Sequence, residues 1–420
     1  MIKINNQFPF SCSFPIDLDK DKHGIFYIHF NSFFDSDVFA SYRGFSTEGN
    51  YIQNVICEMN TNDDRKIEVL WTVEKNDEGI LLPIKFSTKK EDDLLILKDK
   101  AQEEITNALV SVINAKETTQ FFREKYHYFG NPLHGEYYLP GGFRIAPAYT
   151  MQEEYIEMDG QKYFNSTHGE HVLYIDHEVS GFNSMHIHEK RKVNSSVYAA
   201  LISLFLDINL FIPTSEERWV ISYDTGERAS RKMNLGYADD HLTINRMPKK
   251  GTEVSSGALR LVDRTVVEIE STGYHLKCPK DIRKLVRTYS NLNDAEKKKY
   301  FNAAKFYQIS LDIGRRYPSA GMSYQISAID ILNTKHTAQE YKKLVLQYFP
   351  YEIDEEYVMY LYQNVRSAHF HEGIFPGGEN QIGAGLNALI QLEKYPNIIR
   401  DTKVICKNVL INWLLSKSSE

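Results

Sequence analysis

Residues 354–376 read Asp354-Glu-Glu-Tyr-Val-Met-Tyr-Leu361-Tyr-Gln-Asn-Val-Arg366-Ser-Ala-His369-Phe-His371-Glu-Gly373-Ile-Phe-Pro376. Asp354 can cap a helix, because its carboxylate can accept a hydrogen bond from an otherwise orphaned first-turn N–H. Val358, Leu361, Tyr362, Val365 and Ala368 recur at helical spacing and form one apolar stripe. Gly373 and Pro376 end the pattern. The stretch is therefore expected to be a helix packed on neighbouring helices, with Arg366 beside the stripe and two histidines in its last turn.

Signals of the same kind flank it. Asn293-Asp294 can cap a helix running through Lys305 to about Ile313, and Pro318-Ser319 restarts the chain for a helix through Ile331. Thr337–Tyr348 is a third helix, ended by Pro350. Pro396 interrupts the last helical stretch, Ile382–Leu415. Short turns between such helices predict an all-α up-and-down bundle over residues 281–420.

Residues 1–280 read differently, as an α+β region of one domain or of two subdomains split near residues 131–150. Gly24–Phe30, Lys66–Val73 and Ile80–Phe86 are rich in β-branched and aromatic residues and are expected as strands. Asp99–Tyr126 has helical composition, with Ile105, Leu109, Val112 and Ile113 on one face. Val193–Phe211 predicts a buried helix through Val197, Ala200, Leu201, Leu204 and Phe205. Arg218–Ser222 and Leu259–Ile269 predict strands. The fold class expected is thus an α+β N-terminal region followed by a C-terminal helical bundle.

Composition sets outer bounds. The chain has 420 residues, 42% hydrophobic and 25% charged, which suits globular domains with their own cores. The N-terminus lacks a basic-then-apolar leader, and the longest apolar run, near Tyr198–Phe211, is too short and too polar to span a bilayer. Cys12, Cys57, Cys278 and Cys406 lie far apart with no CxxC pair, so a reducing cytoplasm is the expected setting. The net charge of -7 does not advertise a nucleic-acid partner. The balance is uneven, however: residues 281–420 hold 18 basic against 15 acidic residues, which leaves 31 against 41 elsewhere.

The chemistry on offer is an arginine with histidines nearby. Arginine supplies a fixed charge and a planar fork for phosphate, and histidine transfers protons near neutral pH. In a regular helix His369 lies on nearly the same face as Arg366, whereas His371, five residues on, lies roughly 140° away. Ser367 follows the arginine directly.

Arg366-Ser367-x-x-x-His371-x-Gly373 resembles the signature of the HEPN superfamily, whose active members are metal-independent ribonucleases. Glu372 stands where a frequent variant of that signature has glycine. The resemblance covers only the C-terminal third. It implies a helical bundle, RNA as substrate, a homodimer through that bundle, no cofactor and no metal. In the implied reaction a 2′-hydroxyl attacks the adjacent phosphorus, leaving a 2′,3′-cyclic phosphate and a 5′-hydroxyl. His371 would act as general acid or base, Arg366 would hold the scissile phosphate, and Ser367 and Asp330 would orient them. His369 is the alternative partner on plain geometry. Similar layouts occur in bacterial abortive-infection and antiphage effectors, which implies a phage-derived or host trigger sensed by residues 1–280.

Two other functional readings stand beside this one. The bundle could be a non-catalytic scaffold that binds RNA or protein. A middle domain could instead bind metal through His168, His171, His177, His186 and His188, with His186-Ile-His188 read as an alternating strand pair. No HExxH pattern or nearby cysteine supports that site. Lys297–Lys299, Arg315-Arg316 and Arg283-Lys284 with Arg287 read as solvated helix faces or as a track for an RNA backbone. Pro140-Gly-Gly142 and Pro376-Gly-Gly378 lack the GK[ST] of a phosphate-binding loop.

Overall fold

Period-two alternation builds the first sheet of the protein, seen here in a computed structural model. The structure describes the chain except residues 1–6, 19–21, 25, 28–29, 31–37, 46–48, 61–65, 77–79, 148–154, 159–160, 166–169, 216, 223–228, 235–242, 245, 248–275, 377–393 and 420. The chain divides into two compact units, Met1–Thr119 with Ser180–Lys190, and Gln120–Val179 with Arg191–Glu420. Mixed α and β structure with helices at the C-terminal end agrees with the coarse expectation. The unit boundaries do not coincide with the expected division at residue 280.

In the first unit β1 (Phe10–Phe14), β2 (Val38–Phe45), β3 (Tyr51–Asn60), β4 (Lys66–Lys75) and β5 (Ile84–Thr88) form an antiparallel sheet in the order β1-β5-β4-β3-β2. Ile67, Val69, Trp71 and Val73 of β4 alternate inward. Helix α1 (Glu91–Asn114) lays Leu97, Ala101, Ile105, Ala108 and Val112 in the same core.

Two expectations fail here. Of the expected strand Gly24–Phe30, the described residues Gly24, Phe26, Tyr27 and Phe30 are helical. The four-residue spacing puts Phe26 and Phe30 on one helix face, where their buried rings stack with centroids 5.7 Å apart. The expected helix Asp99–Tyr126 stops at Asn114, and Thr118–Phe129 is strand β6. Its aromatic residues Phe122, Tyr126 and Tyr128 fall at even spacing, and strand geometry buries all three.

The second unit holds β6, β7 (Tyr137–Leu139), β8 (Phe143–Pro147), β9 (Tyr155–Met158), β10 (Gln161–Asn165), β11 (Glu170–Gly181), β12 (Glu217–Ser222), β13 (Ala229–Asn234) and β14 (Thr243–Ile244). They form two sheets, ordered β14-β6-β11-β8-β7 and β13-β12-β10-β9. The expected strand Leu259–Ile269 lies outside the described residues. Helix α2 (Ser184–Leu206) is buried on every side from Ala199 to Leu206, a run that is apolar except for Ser203, whose hydroxyl accepts the Leu210 N–H at 3.2 Å.

The C-terminal helices are α3 (Ile282–Asn291), α4 (Asp294–Ile313), α5 (Pro318–Asp330), α6 (Ala338–Tyr348), α7 (Glu355–Tyr360), a π-helical turn (Leu361–Ser367), α8 (Ala368–Glu372) and α9 (Ile398–Ser416). Two caps read from sequence form, as Asn293 accepts from the Glu296 N–H at 2.9 Å and Asp354 from Glu356 at 2.9 Å, and Thr337, expected as the start of a helix, caps its own by accepting from Glu340 at 3.3 Å. Tight packing of α4 on α5 depends on glycine: a Cβ at Gly321 would lie 2.8 Å from the Gly314 Cα.

One hydrophobic core joins Tyr126, Ile145 and Ile175 of the sheet, the end of α2, and Leu285, Tyr307, Ile326 and Leu410 of the helices. Asp207 fastens this junction from the end of α2. Its backbone is left-handed, with φ of 60°, an arrangement aspartate tolerates better than most residues. Its carboxylate accepts the Tyr307 hydroxyl of α4 at 2.6 Å and meets Lys403 Nζ of α9 at 3.0 Å. Burial and the Asp207 charge push the Tyr307 phenol well above its usual range.

Replacing Asp207 should therefore report on this junction. Asp207→Ala leaves the buried Tyr307 hydroxyl without its acceptor and strains the backbone, and should lower urea-unfolding stability by about 2–3 kcal/mol. Asp207→Asn, which keeps an acceptor and tolerates the left-handed region, should lose less than about 1 kcal/mol. Equal losses would show that the hydrogen bond does not hold the junction.

Candidate functional site

Helix α5 ends at Asp330, whose carboxylate is almost fully buried at the negative end of the helix dipole. A charge so placed requires compensation, and three groups supply it. Arg366 Nη2 donates to Oδ2 at 3.2 Å, Asn333 Nδ2 donates to Oδ1 at 3.2 Å, and His336 Nδ1 lies 3.5 Å from Oδ2. The His336 Nδ1–H also points at the Asp330 carbonyl oxygen, 3.1 Å away. His336 has a left-handed backbone, φ 50°, a strained conformation for a residue with a Cβ.

Tyr362 closes the ring of contacts. Its hydroxyl donates to the His336 carbonyl at 2.9 Å and accepts from Arg366 Nη1 at 3.4 Å. The guanidinium lies 5.0 Å from the Tyr362 ring centroid. Burial raises the Tyr362 phenol pKa, and the Asp330 charge raises it further against the opposing effect of Arg366. Arg366 Nε reaches Ser327 Oγ at 3.5 Å, a weak contact. The Arg366 side chain remains 23% exposed, against 4% for Asp330, so the fork is anchored on one side and open on another.

Arg366 and Ser367 lie at the end of the π-helical turn, whose wider ring inserts one residue relative to an α-helix. Beyond it, Gly373 adopts a left-handed φ of 68°, and the Ile374 N–H closes on the Ala368 carbonyl at 3.1 Å. His369 Nδ1 lies 3.1 Å from the Ile374 carbonyl oxygen, a contact in which the ring N–H donates. Phe370 and Phe375 hold that ring edge-on, each at 5.3 Å. His371 is exposed on the last turn. Among the described residues, no hydrogen bond or ion pair joins Arg366 to Ser367, His369 or His371.

The structure thus brings Arg366 to Asp330, both singled out from sequence, and adds Tyr362, His336, Asn333 and Ser327. Tyr362 was legible only as part of the apolar stripe, because periodicity does not show which way a phenol tip points. His336 follows a turn with no periodic signal, and its only sequence cue is the helix cap Thr337 beside it.

The histidines of the middle region do not converge. His168 lies outside the described residues. His186 and His188 belong to the first turns of α2, where Asn183 Oδ1 accepts the His186 N–H at 2.8 Å. Two residues apart on a helix, they diverge by roughly 200°, which overturns the strand-pair reading. His171 packs beside Tyr128, and His177 is fully buried with Nε2 3.5 Å from Glu124 Oε1. Burial opposes charge on Glu124, but His177 and Arg191 outweigh it and hold the carboxyl below its usual range. Among the described residues, no three His, Cys, Asp or Glu side chains are grouped to hold one metal ion. The described cysteines form no disulfide, and no described helix is long and apolar enough to cross a membrane.

The geometry separates the two site residues by their structural load. Arg366→Ala should lower unfolding stability by about 2 kcal/mol, because Asp330 loses its strongest partner at the helix end. His371→Ala should change it by less than about 0.5 kcal/mol, being exposed and without partners among the described residues. Urea unfolding of both variants checks this; equal stabilities would mean the Asp330 contact is energetically idle.

Compared with family models, with curated proteins and with solved structures, the chain matches none of them.

Proposed function

We propose that the C-terminal helices form a HEPN-like bundle that cleaves RNA without metal, by attack of a 2′-hydroxyl on the adjacent phosphorus. The observation that carries this reading is the partly exposed Arg366 fork, fixed from behind by Asp330 and Tyr362 with N–H groups left over. A guanidinium presents five donors, and three are engaged here, so a phosphate can still be met by the remainder. Preorganised positive charge is worth most where charge builds in the transition state.

His371 is the proposed proton-transfer group, supported by its exposure and its place one turn beyond Arg366. His369, with Nδ1 held by the Ile374 carbonyl and Nε2 outside that bond, is the second candidate. Five residues of regular α-helix would set Arg366 and His371 roughly 140° apart, and no hydrogen bond or ion pair joins them among the described residues, so one chain is not expected to converge them on a single phosphate. Two helix ends related by a two-fold axis would pair the arginine of one protomer with the histidine of the other, which is why a homodimer belongs to the proposal. A non-catalytic scaffold is the second reading. It is favoured by the same clamp, because Arg366 bonded to Asp330 and Tyr362 also serves as an ordinary fastening between helices.

Purified protein should cleave RNA in EDTA and leave 2′,3′-cyclic phosphate ends, read by end-labelling. His371→Ala should slow cleavage by at least about a hundredfold at unchanged stability. Arg366→Lys should rescue Arg366→Ala poorly, since a point charge does not reproduce a planar two-pronged contact. Strict dependence on added magnesium with 5′-phosphate products would sink the mechanism, and loss through His369→Ala alone would move the proton-transfer role to that ring.

Activity should also track dimer formation. A variant that stays monomeric in sedimentation yet retains full cleavage would rule out a composite site.

A further inference from the structure

Cleavage by an internal 2′-hydroxyl needs two proton transfers, of which His371 supplies one. A base takes the proton from the 2′-hydroxyl as its oxygen bonds to phosphorus. An acid gives a proton to the 5′-oxygen as the bond from phosphorus to that oxygen breaks. The two transfers balance, and each needs a titratable group beside the phosphate.

His336 stands beside the group that would hold that phosphate. Its Nδ1 lies 3.5 Å from Asp330 Oδ2, the same oxygen that accepts Arg366 Nη2 at 3.2 Å. Asn333 Nδ2 takes the other carboxylate oxygen at 3.2 Å. Imidazole and guanidinium thus hang on one atom, no farther apart than those two contacts laid end to end. By contrast, no hydrogen bond or ion pair links His369 or His371 to Asp330 or Arg366 among the described residues. His336 Nδ1 also faces the Asp330 carbonyl oxygen at 3.1 Å, and with two oxygen acceptors before it the ring N–H is the donor there. Nε2 takes part in neither contact and is the atom that would exchange a proton with a substrate.

Two further observations set this ring apart from an ordinary surface histidine. Its side chain is 60% exposed yet held at both ends, by Asp330 at the ring and by the Tyr362 hydroxyl, which donates to the His336 carbonyl at 2.9 Å. Exposure gives a substrate access, and the anchors fix the orientation that proton transfer requires. Its backbone sits at φ 50°, and such strain persists only where surrounding contacts over-determine it.

We infer that His336 is a second proton-transfer residue of the RNA-cleaving site, positioned by Asp330 in the same protomer as Arg366. This rests on the nuclease reading of the same helices. His336 Nε2 handles one of the two protons, and His371 handles the other.

His336→Asn tests it, because asparagine tolerates the left-handed backbone and keeps an N–H for Asp330 but does not titrate. Cleavage of a mixed-sequence transcript in EDTA should slow at least about a hundredfold in this variant, with its melting temperature unchanged and one limb of the wild-type pH–rate profile lost. His336→Ala, which also gives up the Asp330 contact, should be as slow. Wild-type rates in His336→Asn beside a slow His336→Ala would mark a purely structural anchor and overturn the assignment, as would an unchanged pH profile. A wild-type protein that leaves the transcript intact would instead remove the nuclease reading itself, and this assignment with it.

Discussion

An aspartate in the left-handed region, Asp207, sits where the end of α2 meets α4 and α9, and the second unit depends on that meeting. The apolar run Ala199–Leu206 is buried on all sides, so it needs partners beyond the sheet, and the C-terminal helices are those partners. Gln308 Nε2 adds to the joint by donating to the Leu210 carbonyl at 2.6 Å. Burying polar groups at such a crossing is tolerable only because each one is matched. The helices that carry Arg366 are therefore not an appendage but part of one core with the sheet.

Asp330 poses the same problem on a smaller scale. A carboxylate at a helix C-terminus faces the carbonyl ends of the helix, and burial magnifies that repulsion. Arg366, Asn333 and His336 answer it from three directions. The arrangement orients the guanidinium rigidly, which serves a structural fastening and a phosphate-binding role equally well. Stability and turnover measured on the same variants tell these roles apart, since only one of them is exercised in the folded protein at rest.

Capped helices were the most legible part of the sequence. Asn293, Thr337 and Asp354 each place a side-chain acceptor beside a known number of free N–H groups, a local rule that distant packing does not override. The errors came where periodicity is ambiguous over short spans. Thr118–Phe129 follows α1 after only three residues, and its apolar positions suit either period until Thr118, Thr119 and the aromatics are weighed as strand formers. His186-Ile-His188 fits a strand of three residues as well as it fits a helix turn, and Asn183 as the starting cap was the missed cue. Arg366 could be named from sequence because of its spacing to Ser367, His371 and Gly373, and Asp330 as the one charged residue of α5. His336 could not, since its role follows from a turn geometry that no spacing rule encodes.

The π-helical turn Leu361–Ser367 has a consequence for how this segment tolerates length changes. An inserted residue in a helix is absorbed as such a turn, and its removal restores the ordinary winding. Deleting one residue there would therefore leave the helix beyond Ser367 facing as before, with the wide turn rewound as ordinary α-helix. The segment thus behaves as an adjustable joint between Asp354, which fixes one end, and Gly373, which fixes the other. A lineage could gain or lose a single codon there while the terminal histidines kept their aim.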